Sequence, residues 1–380
     1  MFVRVSDVIE RVNTRVDRNN TSLIYCVGGE DVDSSSLTVT RYGIIKESVL
    51  GPMFYFGFKK GDYLLVSRNP HLMKGGVAIH DGLCSEKTFV LNTKCEKSLM
   101  SRFVPIIFAS DFYWKYAERN KSGSVNFFVN WSIIDRYEFT LPSLDDQKRY
   151  VSVIWGLEEL IQKQRDQLKL LDKIVKSRFI EMFGTIDLSA QKPGWKEIGS
   201  LGIILTGSTP KTNITEYWDG DIKWIAPAEL SSESFIIYDT DRKITEEGRK
   251  SCSLNVLEPG VVLLSSRAPI GKVAIVGSEM YCNQGFKNIE CGPELNNVFL
   301  YTLLKNNSDY LNSLGRGATF KEISAKIVAN IKIPAPSKEQ QDKFEEFVKQ
   351  VDKSKFESQQ HIDNTKKLQK TIINSIFQEP

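Results

Sequence analysis

Leu141-Pro142-Ser143-Leu144-Asp145-Asp146-Gln147 opens the stretch that decides the architecture, because from there to Phe183 the chain reads as one uninterrupted helix. Proline keeps the residue before it out of the helical conformation, while Ser143 and the two aspartates bring capping oxygens and negative charge to the helix N-terminus. Tyr150, Ile154, Leu157, Ile161, Leu168, Leu171, Val175 and Met182 then alternate at steps of three and four, interrupted only by Gln164 and Arg178. That spacing makes a narrow apolar seam, and a seam requires a partner helix. Gly184 stands where a left-handed C-cap belongs, and at ~1.5 Å per residue the rod is about 55 Å long.

The partner is supplied at the other end of the chain. Pro336-Ser337 repeats Pro142-Ser143, Gln341 repeats Gln147, Lys370 repeats Lys176 and Phe377 repeats Phe183, all at one offset of 194 residues. A second repeat lies between the flanking regions: Gly61, Leu64, Leu65, Ser67, Arg68 and Pro70 recur as Gly260, Leu263, Leu264, Ser266, Arg267 and Pro269 at an offset of 199. The chain is therefore two similar halves. The predicted fold is α+β: strand-rich domains over residues 1–140 and 185–333, and spacer helices over 141–184 and 334–380. The two helices bury their apolar faces on each other as an antiparallel coiled coil about a pseudo-two-fold axis.

The second helix is less regular. Phe344, Phe347, Val348, Val351, Ile362, Leu368, Ile372, Ile373, Ile376 and Phe377 keep the seam, and Lys355, Ser358 and Thr365 dilute it in the middle. Ile174, Phe179, Ile180, Ile373 and Ile376 carry apolar surface outside it, to be covered either by another subunit or by the flanking domains. Within the first domain, Tyr63–Val66, Val77–Ile79 and Phe127–Trp131 read as strands, with helices near the start and around Leu99–Arg119.

A chain of 380 residues with 41% hydrophobic and 26% charged residues is that of a soluble two-domain protein. No apolar run approaches the ~18 residues of a membrane span and the N-terminus lacks a signal-peptide pattern, so a cytoplasmic protein is expected. Six scattered cysteines without a CxxC pair point to reduced thiols. Lys and Arg number 18 against 15 Asp and Glu in residues 1–140, and 16 against 17 in residues 185–333. Binding to a polyphosphate would then depend on local basic patches.

Catalytic patterns are missing. His71, His80 and His361 form no HExxH, no GxGxxG or P-loop occurs, and no glutamate is followed two residues later by lysine as in restriction-type nucleases. Asn69-Pro70-His71-Leu72 is only a faint echo of an adenine-methyltransferase motif and has no glycine-rich cofactor loop with it. The Gly207-Ser208-Thr209-Pro210-Lys211 loop offers N–H groups, hydroxyls and a cation to an anion but lacks Walker A spacing. Phe54 to Phe58, followed by Lys59 and Lys60, mixes aromatics with cations in a way that suits nucleic acid. The chain reads as a binding protein.

The helix start at Leu141, the ending Lys176-Ser177-Arg178-Phe179-Ile180-Glu181-Met182-Phe183-Gly184 and the repeat Ile333-Pro334-Ala335-Pro336 resemble the DNA-specificity subunit of type I restriction-modification systems. Gly207-Ser208-Thr209-Pro210, Leu264 to Gly271, Asn283-Gln284-Gly285-Phe286-Lys287 and Gly315 to Phe320 are also similar to that family. The first domain lacks the Gly-Ser-Thr-Pro and Asn-Gln-Gly-Phe stretches. The resemblance implies two target-recognition domains, each reading one half of a split site in double-stranded DNA, with the helices as a ruler for the unread gap. It also implies two modification (methyltransferase) subunits docked on the helices, and motor-nuclease subunits beyond them. S-adenosylmethionine, ATP and magnesium would sit on those partners, with no cofactor, metal or catalytic residue in this chain.

Arg68 and Arg267 follow equivalent strands and are expected to make bidentate guanine contacts or phosphate clamps, or else to hold a turn by a salt bridge. Lys59, Lys60 and Lys74 in the first domain, with Thr209, Lys211, Lys272, Gln284, Lys287, Arg316 and Lys321 in the second, complete the expected DNA-contacting set. The alternative is an adaptor whose coiled coil docks proteins and whose two domains bind peptides.

Overall fold

The computed structural model describes residues 1–34, 36–231, 234–267, 269–316 and 321–377. Ala268 and Gly317 to Phe320, within two of the stretches that carried the resemblance, lie outside the described residues.

The central helix spans Leu144–Phe183 and the C-terminal helix Lys338–Ile376, 40 and 39 residues. Their N-termini are capped alike: Ser143 Oγ accepts from the Asp146 N–H at 3.2 Å, and Ser337 Oγ from the Gln340 N–H at 3.3 Å. Gly184 ends the first helix at φ +77°, where a side chain would be strained. The apolar seam of the central helix is the buried edge, with Ile154 and Ile161 fully covered. In the C-terminal helix the three-four spacing runs through Phe344, Val348, Val351, Ser358, Ile362, Gln369 and Ile373. Leu368 is half exposed, so Gln369 and not Leu368 occupies that turn of the seam. Gln369 compensates its burial by donating to the Ile154 carbonyl at 3.2 Å and to Glu158 at 3.1 Å.

Two compact units divide the chain, each holding one strand-rich domain and stretches of both helices: residues 1–166 with 358–380, and residues 167–357. In the first, strand Tyr63–Val66 lies between Thr88–Thr93 and Gly75–Val77, and Ile9–Val12 extends the sheet beyond Thr88–Thr93. A second sheet pairs Tyr25–Val27 in parallel with Gly82–Ser85, flanked by Gly43–Ile44 and Phe54–Phe58. The second unit repeats the plan. Val262–Leu264 lies between Lys287–Cys291 and Val273–Val276, with Gly202–Thr206 outside, and Trp218–Ile225 pairs in parallel with Tyr281–Cys282. Each domain is closed by an antiparallel ribbon of its first and last strands, Phe2–Arg4 with Glu138–Thr140 and Lys196–Glu197 with Lys332–Ile333.

The helices are antiparallel. Within the second unit Asp172 is ion-paired with Lys355, and further along Phe179 and Phe183 pack on Phe344. The domain and its helix are joined by the same device twice. Gln147 is fully buried; its Oε1 accepts from the Met100 N–H at 3.0 Å and its Nε2 donates to the Ser98 and Pro142 carbonyls, both at 3.0 Å. Gln341 accepts from the Asn296 N–H at 2.8 Å and donates to Glu294 at 3.0 Å and Pro336 at 2.8 Å.

Four local expectations change, the first being the strand expected over Val77–Ile79, which runs Gly75–Val77 instead. The helix near the start is a single turn, Val5–Val8. The helix expected over Leu99–Arg119 is broken at Ala109-Ser110, because the Ser110 hydroxyl accepts from the Tyr113 N–H and starts a new helix, Asp111–Arg119. Phe127–Trp131 is not a strand: Phe128 makes isolated bridges, and Trp131–Ile134 is a helical turn whose apolar residues pack toward the core.

Candidate nucleic-acid interface

In the second domain four loops converge beyond the end of strand Val262–Leu264. Close approach is what the glycines allow: a Cβ on Gly207 would stand 2.2 Å from the Cys282 carbonyl oxygen, and one on Gly285 would stand 3.0 Å from Pro227. The Ser208 N–H donates to Cys282 O at 3.0 Å, and the Ser266 N–H to Gly285 O at 2.7 Å. Arg267 and Glu322 form an isolated antiparallel bridge, Arg316 bridges Glu322 from the other side, and the Ile323 N–H donates to Ser266 O at 3.0 Å. The Gly-Ser-Thr-Pro loop, the Arg267 loop, the Asn-Gln-Gly loop and the loop carrying Arg316 and Lys321 thus share one surface.

Glu322 is the electrostatic centre of this surface. It accepts from Arg267 Nε at 3.0 Å and from Lys287 Nζ at 3.3 Å. Burial alone would raise its pKa, but the hydrogen bonds from Arg267 and Lys287 outweigh that and hold the carboxyl below its usual range. A lowered carboxyl stabilises the fold above the ordinary carboxylate range and loses that contribution as pH falls through the depressed value, so the clasp stays ionised at neutral pH. Only Nε of Arg267 is used. Its two terminal nitrogens have no partner among the described residues, so the salt bridge fixes the stem and leaves the planar fork presented. Arg267 thus makes the turn-holding salt bridge that was one of its two expected roles.

The first domain carries the same frame with different chemistry. The Ser67 N–H donates to Lys87 O at 2.8 Å, the Val129 N–H donates to Ser67 O at 3.0 Å, and Arg68 and Ser122 bridge Phe128 as Arg267 and Arg316 bridge Glu322. Phe128 thus replaces Glu322, and Lys87 Nζ lies 5.0 Å over its ring while ion-paired with Glu86 at 3.3 Å. Glu86 stands where Gln284 stands, accepting from the Tyr55 hydroxyl at 3.2 Å. Arg68, Glu86, Lys87, Phe54 and Glu30 line a cavity of about 290 Å³ here.

The structure separates the expected residues into three groups. Arg68, Thr209, Lys211, Arg267, Gln284, Arg316 and Lys321 lie on the two loop surfaces. Lys74, Lys272 and Lys287 make internal hydrogen bonds: Lys74 donates to Gly29 O at 2.6 Å, Lys272 to Leu230 O, and the buried Lys287 to Gln284 O at 3.1 Å as well as Glu322. These three lysines brace loops within their own domains. Lys59 and Lys60 sit in the turn before strand Tyr63–Val66, on the end away from Arg68 and about 20 Å from it at ~3.3 Å per residue. Of the expected docking residues, Phe179, Ile373 and Ile376 are buried in the cores of their own units; Ile174 and Ile180 are exposed.

Sequence reading missed Glu86, Lys87, Glu322 and Arg242. Arg242 lies 3.9 Å over the Trp218 ring and 5.2 Å from that of Trp224, whose indole N–H donates to Ser208 O at 3.1 Å. The clustered tryptophans of Trp218 to Trp224 were the available signal. Burial pushes the thiol of Cys282, beside the Asn-Gln-Gly loop, up to about 12.

The sequence profile of the type I restriction modification DNA specificity domain matches residues 193–367. The MjaIX specificity subunit of Methanocaldococcus jannaschii, a type I restriction enzyme subunit, is 40% identical over 176 residues, which are 45% of this chain and 41% of that relative. The match thus spans well under half of the relative's length. A second M. jannaschii protein, the putative MjaX specificity subunit, is 23% identical over 371 residues, 92% of this chain and 85% of the relative. The crystal structure of a type I restriction-modification S subunit from M. genitalium superposes with a TM-score of 0.54 at 13% identity, covering 100% of this chain and 96% of that one. The structural likeness is one of fold.

Proposed function

We propose, from the premise that this chain belongs to the family of type I restriction-modification DNA-specificity subunits, that it reads a bipartite double-stranded DNA site with one half assigned to each strand-rich domain. The observation that carries this reading is the duplicated frame with altered chemistry. The backbone bridges around Arg68 and Arg267 are alike, whereas Glu86, Lys87 and Phe128 in the first domain take the places that Gln284, Gly285 and Glu322 have in the second. One scaffold that keeps its arginine and changes the groups beside it suits two domains that read different base sequences. None of the relatives found supports the adaptor reading.

The partners in this proposal are two modification subunits that methylate adenine and, where present, motor-nuclease subunits. S-adenosylmethionine, ATP and magnesium belong to those partners. Leu170 and Ile174, one helical turn apart and about half exposed, are the apolar positions assigned to docking a modification subunit.

Co-expression with the modification subunits, followed by sequencing of host DNA for methyladenine, tests the reading. A split motif is expected, one half changing when residues 1–140 are exchanged for those of a relative and the other when residues 185–333 are exchanged. A stable complex that methylates no split motif would overturn it. Lys211→Ala with Arg316→Ala should weaken binding by the complete complex on every sequence and lower the slope of log K against log salt by about two. An unchanged slope, with a melting curve like the parent's, would remove these residues from the phosphate-contacting surface.

A further inference from the structure

A chain of hydrogen bonds in the second domain decides which atom Gln284 turns outward. The Gly285 N–H, which can only donate, points at an Asn283 side-chain atom 2.7 Å away, so that atom is Oδ1. The other Asn283 atom is then the amide nitrogen, and it donates to Thr209 Oγ1 at 2.8 Å. Having accepted this bond, the Thr209 hydroxyl gives its own proton to the Gln284 side chain, whose facing atom is the acceptor Oε1. Gln284 Nε2, with two N–H donors, has no partner among the described residues.

We propose that Asn283 and Thr209 are positioning residues that hold Gln284 with its NH2 outward, and that this donor reads an acceptor on a base edge, guanine O6 or N7 or thymine O4, in the half-site of the second domain. The proposal rests on the DNA-specificity reading above. A base edge is favoured over a phosphate by the first domain, where Glu86 holds the corresponding position beside Ser67 and Arg68. That carboxylate, ion-paired with Lys87 Nζ at 3.3 Å, has no N–H to give a phosphate but can accept from cytosine N4 or adenine N6. The position thus carries a donor in one domain and an acceptor in the other, as two different base pairs require.

The test uses the chain in complex with its modification subunits and duplexes in which each base pair of the second half-site is varied in turn. Thr209→Val removes the hydroxyl with little change of shape and frees the Gln284 amide to turn. Discrimination at one base pair should fall about tenfold, with the other positions and the first half-site unaltered, and Thr209→Ser should restore it. Gln284→Met, which leaves the Thr209 loop intact, should relax the same base pair. Full discrimination in both Thr209→Val and Gln284→Met overturns the proposal, as does an equal loss of affinity on every sequence, which would place Gln284 on a phosphate. Failure of Thr209→Ser to restore discrimination would reduce Thr209 to a structural residue and overturn the relay. If the parent complex methylates no split motif, the DNA-specificity reading itself fails, an outcome visible before any variant is compared.

Discussion

Inserting seven residues between Asp166 and Gln167 and seven between Glu357 and Ser358 should abolish methylation of the parent target, with at least ~100-fold weaker binding to the parent duplex. These points are the boundaries of the two units, and both fall inside the long helices. One heptad keeps the seam in register, with a drift of only about 20°, but adds ~10 Å of helix. That equals about three base pairs, roughly a third of a turn of DNA, so the two half-sites could no longer be engaged together. Three heptads in each helix add ~32 Å, close to one full DNA turn, and should restore methylation on a target whose gap is longer by nine or ten base pairs. The readout is the methylated motif. Parent gap spacing retained after a single heptad in each helix would mean that the helices do not set it.

The second large effect is on stability. Gln341→Ala should destabilise the second unit by about 3 kcal/mol, because it deletes three hydrogen bonds at a fully buried residue and strands the Asn296 N–H and two carbonyls without water. For a unit of this size that corresponds to a melting point lower by about 6–12 °C. Gln147→Ala should do the same to the first unit, through Met100, Ser98 and Pro142. Hydrogen exchange separates the two, since each variant should lose protection at the base of one helix only. A change within ~0.5 kcal/mol in either would show that water replaces the amide, and the clamp would be a convenience of packing.

The matching of Gln147 with Gln341 was visible in the sequence before its reason was. A single glutamine in a polar helix start carries no periodicity, and only the offset of 194 marked it. The structure supplies the cause: the amide is the one side chain that can both accept from one backbone N–H and donate to two carbonyls where domain and helix meet. Leu368 went the other way. Its hydrophobicity argued for the seam, yet the three-four spacing continued through Gln369, and spacing won because a helix face is set by angle before composition.

The candidate site was legible as motifs and not as an arrangement. Gly207, Gly285, Arg68 and Arg267 stood out because tight turns and charges at repeated positions leave a local mark. The fate of the lysines did not. Lys74 meets a carbonyl 45 residues away, Lys272 one 42 residues away, and Lys287 a carboxylate 35 residues away. Glu322, an ordinary acid in sequence, became the organiser of the surface through such pairings.

What the amino-acid sequence determined by itself is everything carried by residues within one or two helical turns of each other: the two capped helices, their apolar seams, the glycine stop, and through the constant offsets the twofold repetition of the whole design. Tertiary structure alone decided which charges are spent and which are presented, and which way the Gln284 amide faces. A hydrogen-bond partner is chosen by proximity in space, and in these loops proximity is created by sheets whose neighbouring strands lie far apart along the chain.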